Sequence, residues 1–431
     1  MKCAIIGSGL VGAATALALH QVGITCNLYD QIDLAQHSNA DGAQVAVEFG
    51  ETGGSVLLAA NALRVIKALG LLDELVANSS PSPFATWHNI DGSGPLKLNT
   101  IAINARMEKD PQLHAPLQIL RCKLHSIFMR ACHQAGIRTY TSKKLVRVDD
   151  TPGSPVVAHF ADGTTASADF IIGADGIHSS TRRAVFGSEL KAQYTGVTGY
   201  IGVVDTAAHN IDVDGTCDFY LDRVKKQLVC TFKISDQISA IQVMTLGEPD
   251  EEETDGWRPL SDLPKHAARL ADVLQGWGVP KSVEQMMRHA YRISPATIYD
   301  LPNLKTFHQG RVAIAGDAAH GMVPNAGLGL GTGLEDVGTI LELFRHMPNL
   351  ENLDTVLSLY SELRVPAATS NAQKSREMAQ QSYSVSFFGP GLNNFLLKIA
   401  VFAFNRSWLP FYEIFDCPAE VAKKMESLKH K

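Results

Sequence analysis

The sequence lacks an excess of basic residues, and this absence excludes several classes of partner. Its 38 lysines and arginines are outnumbered by 44 aspartates and glutamates, which gives a formal net charge of −6. Proteins that bind nucleic acid or anionic membranes through charge carry a broad basic surface. We therefore expect a small-molecule substrate as the partner, and neither nucleic acid nor a membrane.

Closely spaced cysteines are also missing. The chain has 7 cysteines, scattered from residue 3 to residue 417, and none of them stands in a C-x-x-C pair. This spacing supports neither a disulfide framework nor a zinc cluster, so we predict no metal site. Unpaired cysteines fit a reducing compartment, and the first predicted strand begins too early to leave room for a leader segment. We expect a cytoplasmic protein.

No hydrophobic run is long enough to span a bilayer. The most apolar stretch, residues 395–415, is interrupted by Lys398 and Arg406 and broken by Pro410. Its unbroken apolar piece, residues 399–404, is far shorter than the roughly 20 residues that a membrane helix needs. We expect a helix packed on the body of the protein, with a membrane-associated segment as the alternative.

The first positive signal is a glycine-rich turn near the N-terminus. It lies between a predicted strand, residues 3–6, and a predicted helix, residues 13–22, and its glycines have G-x-G-x-x-G spacing: Gly7, Gly9 and Gly12. Such glycines allow a tight turn, close approach of the backbone to a pyrophosphate, and close packing of helix on strand. A second predicted strand ends at Asp30, whose carboxylate can bond an adenosine ribose hydroxyl. The unit predicts nucleotide binding, with NAD and FAD both open and a purely structural turn as the alternative.

Two more strand-turn motifs follow later in the chain. A predicted strand at residues 170–172 runs into GADGIHSSTR, and another at 311–315 runs into GDAAHGMVPNAGLGLGTGLED. Asp175 and Asp317 place carboxylates at the carboxyl ends of these strands, where ligands bind in open α/β sheets. The glycines of the second motif precede a predicted helix, residues 333–345, whose N-terminal amides are free to hold an anionic or carbonyl oxygen.

The three motifs, in this order and spacing, resemble those of the FAD-dependent monooxygenases of the aromatic-hydroxylase type, the salicylate and para-hydroxybenzoate hydroxylase superfamily. The resemblance extends from residue 4 to about residue 340. It implies an α/β fold: a Rossmann-like FAD-binding domain with an inserted β-rich substrate domain and C-terminal helices. We place the FAD-binding parts at residues 1–80, 111–189 and 291–375, the substrate-domain parts at 81–110 and 190–290, and the C-terminal helical segment at 376–431.

The resemblance also implies which residues contact FAD. The first turn and the strand that follows would hold the pyrophosphate and the adenosine ribose through Gly7, Gly9, Leu10, Val11, Gly12 and Asp30. Arg121 would lie against the FAD chain, with a solvated arginine at a helix start as the alternative reading. The middle motif would contact FAD and NAD(P)H through Asp175, Gly176 and Arg182. The last motif would bond the ribityl chain and bring a helix N-terminus to the pyrimidine end of the flavin through Gly316, Asp317, Pro324, Gly327, Leu328 and Gly329.

The chain departs from the family pattern at several positions. In the last loop Leu328, Gly331 and Gly333 replace residues that are often Gln, Asn and Ala, so side-chain contacts to the ring are in doubt there. Tyr200 and Ile201 stand where Trp and Arg are frequent. The missing arginine argues against a small carboxylate or a urate-like anion as the substrate. No arginine occurs between residues 30 and 53 either, although many relatives have one that contacts FAD.

The implied activity is a single-component FAD-dependent monooxygenase. In the family NAD(P)H reduces FAD, dioxygen adds to form a flavin hydroperoxide, and its distal oxygen is delivered to an electron-rich carbon, here of an aromatic or polyketide-like molecule of secondary metabolism. The alternatives are an FAD-dependent epoxidase of an alkene or terpenoid, and a redox-inactive flavin-fold binding or escort protein. Homodimers are common in the family, but no interface is evident in the sequence.

The substrate pocket is expected to be apolar, between the β-rich domain and the loops that carry residues 53–54 and 322–324. Tyr200 and Tyr220, on predicted strands, could hydrogen-bond a phenol and assist its deprotonation, although packing roles are the simpler reading. His320 is interpreted as structural or flavin-adjacent, with acid–base catalysis as the alternative. His178 is interpreted as a cofactor-side contact.

Overall fold

A computed structural model describes residues 1–32, 54–213, 215–246, 260, 262–383, 398–399, 401–403, 405–406 and 415–429. The charged loop at residues 248–255 and most of the apolar 395–415 stretch therefore lie outside the described residues. Within the described part, no helix combines the length and the apolar character needed to cross a bilayer.

The strands alternate with helices in the N-terminal and C-terminal thirds and follow one another in the middle. In chain order they are β1 Lys2–Ile6, β2 Thr25–Tyr29, β3 Ser55–Leu58, β4 Ser80–Pro81, β5 Phe84–Asn89, β6 Leu96–Asn99, β7 Leu117–Leu120, β8 Arg138–Tyr140, β9 Leu145–Asp149, β10 Val156–Phe160, β11 Thr165–Ala168, β12 Phe170–Gly173, β13 Gln193–Asp205, β14 Cys217–Asp222, β15 Gln227–Lys233, β16 Ile238–Leu246, β17 Arg292–Asp300, β18 His308–Gln309 and β19 Val312–Ile314.

The helices of the described residues are α1 Leu10–Gln21, α2 Ala60–Ala68, α3 Leu72–Ala77, α4 Thr100–Met107, α5 Arg121–Gln134, α6 Ser180–Phe186, α7 Leu263–Trp277, α8 Lys281–Arg288, α9 Asp317–His320, α10 Gly329–His346, α11 Leu353–Tyr383 and α12 Cys417–Lys429. Short 3₁₀ turns lie at Pro111–Leu113, Pro324–Ala326 and Leu350–Asn352.

A six-stranded sheet brings the three motifs to one edge. Its order is β18-β19-β12-β1-β2-β8, and β1 runs parallel to both β2 and β12. Ile6 is paired with Tyr29 and with Gly173, and Gly173 is paired with Ile314, so these four strands end side by side. The turns after them share one edge of the sheet, which is where open α/β sheets bind ligands.

A seven-stranded sheet forms the second layer, in the order β17-β13-β16-β15-β14-β5-β6. The helices α7 and α8 cover one face, where Tyr200, Val229 and Leu270 belong to one buried cluster. Residues of the opposite face, among them Ile201, cluster with Val323 from the loop before α10. This face therefore looks toward the six-stranded sheet and its turns. The predicted α/β fold is confirmed, while the domain boundaries stay predictions.

The helix α10 lies at the centre of the helical layer. It packs against α1, α2, α11 and α12, and residues along its length, such as Leu334 and Leu341, are buried in the main core. The Sγ atom of Cys417 would lie 2.8 Å from a Cβ atom at Gly338, so the C-terminal helix approaches α10 at a position where only glycine fits. The C-terminal helix is thus part of the same packed body.

Some local structure does not follow from the sequence patterns. Asn61 lies in the first turn of α2, which begins after Ala59, and its buried amide donates to Glu335. Within residues 81–110 of the substrate domain, the side chain of Asn99 caps the helix α4. The helix α10 begins at Gly329, four residues before the predicted start, since glycine lowers helix propensity without forbidding a helix that tertiary packing stabilises. The helices α7 and α8 were not predicted at all.

Candidate active site

A cavity of about 310 Å³ lies at the carboxyl edge of the six-stranded sheet. Residues from all three motifs line it: Gly7, Gly9, Leu10, Val11, Asp30, Arg121, Asp175, Gly176, Asp317 and Gly329. The structure thus brings together ten of the sixteen residues predicted to contact the cofactor. The other six do not line it: Gly12, Arg182, Gly316, Pro324, Gly327 and Leu328.

The first turn is built so that only glycine fits at its ends. Gly7 has φ +97°, and a Cβ atom there would lie 2.4 Å from the carbonyl oxygen of Ala174; a Cβ atom at Gly12 would lie 2.1 Å from the Gly7 carbonyl oxygen. The backbones of β1, α1 and the middle motif therefore pack closely against one another at this turn. Around Gly9, in contrast, no atom lies within 4 Å of a Cβ position. Gly9 lines the cavity at the N-terminus of α1, where backbone amides and the helix dipole favour a phosphate.

Asp30 lies at the end of β2 with its carboxylate largely engaged by the protein. Its Oδ2 atom accepts from both the backbone N–H and the hydroxyl of Ser8, each at 2.7 Å, and its Oδ1 atom accepts from the Ile32 N–H at 2.9 Å. A carboxylate has about four acceptor positions, so one remains for a ligand hydroxyl. Asp30 therefore supports the glycine-rich turn and also faces the cavity.

Arg121 and Asp317 face the cavity from opposite motifs. Arg121 is the first residue of α5, and its backbone N–H donates to the Gly54 carbonyl over 2.9 Å. Enclosure by protein lowers the pKa of its guanidinium, and the carboxylate of Asp317 acts in the opposite direction. Both side chains line the cavity, so a charged or hydroxylated ligand there meets a guanidinium and a carboxylate.

Asp175 and Arg182 make hydrogen bonds mainly to other residues of the protein. The Asp175 carboxylate accepts from Ser179 Oγ at 2.5 Å and from the Thr181 backbone at 2.9 Å, which fixes the start of α6. Burial raises its pKa, although these hydrogen bonds act against the rise. Arg182 is fully buried and donates to the carbonyl oxygens of Ile177, Leu190 and Ala318. It thereby ties the middle motif to the last motif.

The last motif presents a helix N-terminus to the cavity. Gly316 has φ +61°, a conformation that favours glycine, and places Asp317 at the start of α9. Gly329 and Leu330, the first residues of α10, line the cavity. The residues before α10 form the turn that leads into it: Pro324 begins a 3₁₀ turn, Gly327 ends it with φ +65°, and Leu328 caps α10.

The three residues predicted to be catalytic are not brought to this cavity. Tyr200 is buried against α7 and α8, on the face of the seven-stranded sheet turned away from the cavity. Tyr220 lies on that same outer face, stacked on His88 at 4.8 Å. His320 is buried, and its Nε2 atom contacts the carboxylate of Asp336 at 2.6 Å. None of the three lines the cavity, so catalysis by these side chains stays a prediction that this geometry does not favour.

His178 lies in the middle motif and makes an edge contact with the Tyr299 ring, at 4.6 Å between ring centroids. Burial, and then the charges of Arg182 and Arg183, lower the pKa of its imidazole, so it is neutral at pH 7. Its role as a cofactor-side contact stays a prediction.

The sequence did not single out several residues of the lining. Tyr29, Ile32, Val56, Lys143 and Leu145 contribute to the walls. The ammonium group of Lys143 also donates to Asp162 and Thr164. Only Tyr29 had a signal, as the last residue of the strand before Asp30. The other four come from segments without a motif.

The cavity fits a dinucleotide with a polar chain. An open glycine at one helix N-terminus suits a pyrophosphate, Asp30 and Asp317 suit hydroxyl groups, and the N-terminus of α10 suits an electron-rich ring edge. FAD has these groups in this order, so the residues present fit FAD. In the part of the chain that the structure describes, no cluster of three or more His, Cys, Asp or Glu side chains could hold a metal ion.

Comparison with known proteins agrees with this geometry. Residues 1–375 match the model of the family described as FAD binding domain. The FAD-dependent urate hydroxylase of Mycolicibacterium vanbaalenii is 28% identical over 395 residues, covering 89% of each chain. The salicylate hydroxylase of Pseudomonas putida is 27% identical over 389 residues, covering 85% of this chain and 82% of the relative. The crystal structure of Klebsiella pneumoniae HpxO with FAD and uric acid matches with TM-score 0.76 at 19% identity, covering 94% of this chain and 96% of that one.

The fold and the site define a flavoprotein of the aromatic-hydroxylase type. The chain belongs to the FAD-binding-domain family, and it is an FAD-dependent monooxygenase; NAD(P)H is the co-substrate typical of the family. The resemblance predicted from the three motifs is thereby confirmed. Neither the epoxidase nor the redox-inactive escort protein is favoured by these comparisons.

Proposed function

We propose that this monooxygenase hydroxylates a neutral aromatic or polyketide-like molecule held against the seven-stranded sheet. The observation that carries the proposal is the chemistry of one row of residues across that sheet. Cross-strand pairing places them side by side in the order Trp87, Phe219, Cys230, Gln242, Ile201 and Ser294. The row contains aromatic, aliphatic and neutral polar side chains and no charge.

The charged residues on this face stand at its margins. Arg292 and Asp300 occupy the two ends of β17, and Asp300 is paired with Arg376. In the middle, the ring of Trp87 stacks on that of Phe219 at 5.3 Å, and Gln242 is half-buried. A flat apolar surface with a single neutral amide suits a planar ring that bears a hydroxyl or carbonyl group and no formal charge.

Gly54 connects this row to the cavity. Its carbonyl oxygen accepts the Arg121 N–H, while a Cβ atom at Gly54 would lie 2.2 Å from Cγ2 of Ile201. At Ile201 the row therefore lies directly beside the segment that contacts Arg121, a residue of the cavity lining. Ile201 occupies the position where the family often has an arginine, and its aliphatic side chain offers no partner for a carboxylate.

The cofactor supplies electron transfer from NAD(P)H and the activation of dioxygen, from which one oxygen atom enters the product and the other leaves as water. The side chains of this chain supply binding and orientation. The N-terminus of α10 and Arg121 stabilise negative charge at the cavity. The apolar row excludes water from the ring and holds the reacting carbon in place.

The proposal is tested with the purified protein and pairs of ring compounds that differ in a single substituent. Phenols, resorcinols and prenylated phenols are each compared with the matching carboxylate while NADPH and NADH oxidation is followed in air. We expect the neutral member of each pair to stimulate oxidation and to yield a product heavier by one oxygen atom. Stronger stimulation by the carboxylates would contradict the neutral-substrate assignment.

A charge placed in the row provides a second test. Gln242→Arg adds a cation beside Ile201, whereas Gln242→Met keeps the size of the side chain without charge. We expect the arginine variant to shift the ratio of carboxylate to neutral oxidation toward the carboxylates by about tenfold, as one new ion pair can. An equal shift in the methionine variant would show that charge is not the cause.

A further inference from the structure

The strongest unassigned feature is a buried histidine beneath the glycine-rich turn. His125 lies one helical turn after Arg121 on α5, so the two side chains emerge from the same face of the helix. Arg121 enters the cavity, whereas His125 is 6% exposed and its Nε2 atom lies 2.6 Å from the carbonyl oxygen of Ser8. One helix therefore contacts both the cavity and the underside of the turn that lines it.

Ser8 is held on both sides. Its backbone N–H and its hydroxyl donate to Asp30, and its carbonyl oxygen contacts His125. Because peptide units are planar, these contacts fix the orientation of the peptides before and after Ser8. The second of these peptides carries the N–H of Gly9, the residue of the turn with open space around it. The glycine on its own would leave that peptide free to rotate.

The imidazole acts as a neutral donor. Burial lowers the pKa of His125 to about 4, with the nearby charge of Arg121 adding to the effect and the Ser8 carbonyl and the carboxylate of Asp30 opposing it. At pH 7 the ring is therefore neutral, and since the carbonyl oxygen of Ser8 can only accept, the proton is on Nε2.

We propose that His125 is a positioning residue of the FAD site, which fixes the Ser8–Gly9 peptide and so preorganises the turn that receives the pyrophosphate. The inference rests on the FAD site described above and adds a residue that does not line the cavity. Preorganisation lowers the ordering cost that binding would otherwise carry. The loss of His125 therefore weakens FAD binding in a protein that still folds.

The test uses FAD itself as the probe and does not depend on turnover. FAD is removed from the purified protein, and the apoprotein is titrated with FAD while quenching of flavin fluorescence is recorded. His125→Gln keeps a neutral N–H donor of similar reach, whereas His125→Leu keeps the volume and removes the donor. We expect the leucine variant to bind FAD about tenfold more weakly, the effect of one lost buried hydrogen bond, and the glutamine variant to stay within about threefold of wild type.

Thermal unfolding of each apoprotein separates positioning from a general effect on folding. Both variants are expected to unfold cooperatively, and the loss of FAD affinity in the leucine variant is expected to exceed any loss that its apoprotein stability explains. Wild-type affinity in the leucine variant, or equal losses in both variants, would overturn the proposal. Failure of the wild-type apoprotein to bind FAD is a separate result, and it would overturn the assignment of the site itself.

If the leucine variant does not fold, His125→Asn takes its place, because its shorter amide cannot reach as far as Nε2. The asparagine variant is expected to show the same loss of affinity as was expected for leucine. Wild-type affinity in that variant would overturn the proposal equally.

Discussion

The guanidinium of Arg182 donates a hydrogen bond to the carbonyl oxygen of Ala318 over 2.8 Å, and so joins two motifs that are 136 residues apart in the chain. Its other donors reach the carbonyl oxygens of Ile177 and Leu190. Burial lowers the pKa of Arg182 to about 10, which leaves it charged at neutral pH. This residue holds the middle and last motifs in register.

Removal of Arg182 is therefore expected to destabilise the protein strongly. Arg182→Leu removes the donor from three carbonyl oxygens, one in a buried and two in part-buried hydrogen bonds, and we expect the free energy of unfolding to fall by about 3–5 kcal/mol. Urea denaturation monitored by circular dichroism measures it. Arg183→Leu, next to it in the sequence and half-buried, is the control and should cost less than about 1 kcal/mol. A small change in the free energy of unfolding of Arg182→Leu would show that water replaces the guanidinium as the donor to these carbonyl oxygens.

Gly9 and Gly12 are expected to respond differently to the same substitution. Gly12→Ala forces a Cβ atom to within 2.1 Å of the Gly7 carbonyl oxygen, so the apoprotein itself should be destabilised. Gly9→Ala meets no atom within 4 Å and has φ −64°, so the apoprotein should keep its stability while FAD binding weakens by at least about tenfold. Thermal unfolding and FAD titration of the two apoproteins check this. Tight FAD binding by the Gly9 variant would place the pyrophosphate elsewhere.

Asp317 is expected to determine FAD occupancy without determining the fold. Its side chain faces the cavity, so Asp317→Ala should leave the stability of the apoprotein within about 0.5 kcal/mol of wild type. The purified variant should be largely free of FAD, as its absorbance spectrum will show. Full occupancy in the variant would overturn the assignment of Asp317 to the ribityl hydroxyls.

Asp336 is expected to hold α10 in place through charge. Burial alone would raise its pKa, but the charges and hydrogen bonds of His320 and Arg364 outweigh that effect and keep the pKa below its ordinary value. The stability that the carboxylate contributes is therefore present at neutral pH and is lost as the pH falls through its lowered pKa. Asp336→Asn should lower the free energy of unfolding by about 3 kcal/mol at pH 7, since Arg364 and His320 lose a buried anion.

Measurements of the free energy of unfolding at low pH provide the control for Asp336→Asn. The difference between wild type and Asp336→Asn should shrink as urea denaturation is repeated at decreasing pH, because the wild-type carboxylate becomes protonated. A difference that does not depend on pH would mean that the variant acts through packing and not through charge.

The pH dependence of stability is expected to report on His125 separately. The pKa of His125 in the folded state, about 4, lies below the ordinary value of 6.5. Between about pH 4 and pH 6.5 the unfolded chain therefore binds a proton at this residue that the folded chain does not bind. Stability should therefore fall as the pH is lowered from about 6.5 toward 4, by about 2–3 kcal/mol from this residue. His125→Gln should show a smaller fall than wild type in thermal unfolding across that range. Identical slopes would show that the imidazole is not neutral in the folded protein.

The sequence predicted the parts of the site that depend on backbone geometry. The spacing of Gly7, Gly9 and Gly12, and acids at the ends of strands, follow from requirements of turns and parallel sheets that act over short stretches. The side chains whose partners are distant in sequence could not be assigned in this way. Arg182 stands in a cofactor motif, yet its hydrogen bond to the carbonyl oxygen of Ala318, 136 residues away, is set by how the motifs pack.

The orientation of Tyr200 illustrates a second limit. Both faces of β13 are apolar, so alternation along the strand does not tell which face looks toward the cavity. That choice depends on α7 and α8, which cover the outer face and were not predicted, although Ala267, Leu270, Ala271 and Leu274 recur at the spacing of an amphipathic helix. Ile201, the neighbour of Tyr200, is the residue that meets Gly54.

The walls of the FAD cavity come from residues as far apart as Ile6 and Leu330. Of these elements the central strand β1 is made before its partner β12, which follows more than 160 residues later, and β19 and the start of α10 come later still. The nascent chain cannot enclose the cofactor until Leu330 has left the ribosome. Cofactor capture is therefore a late event in the biogenesis of this enzyme, and the early segments must stay soluble without it.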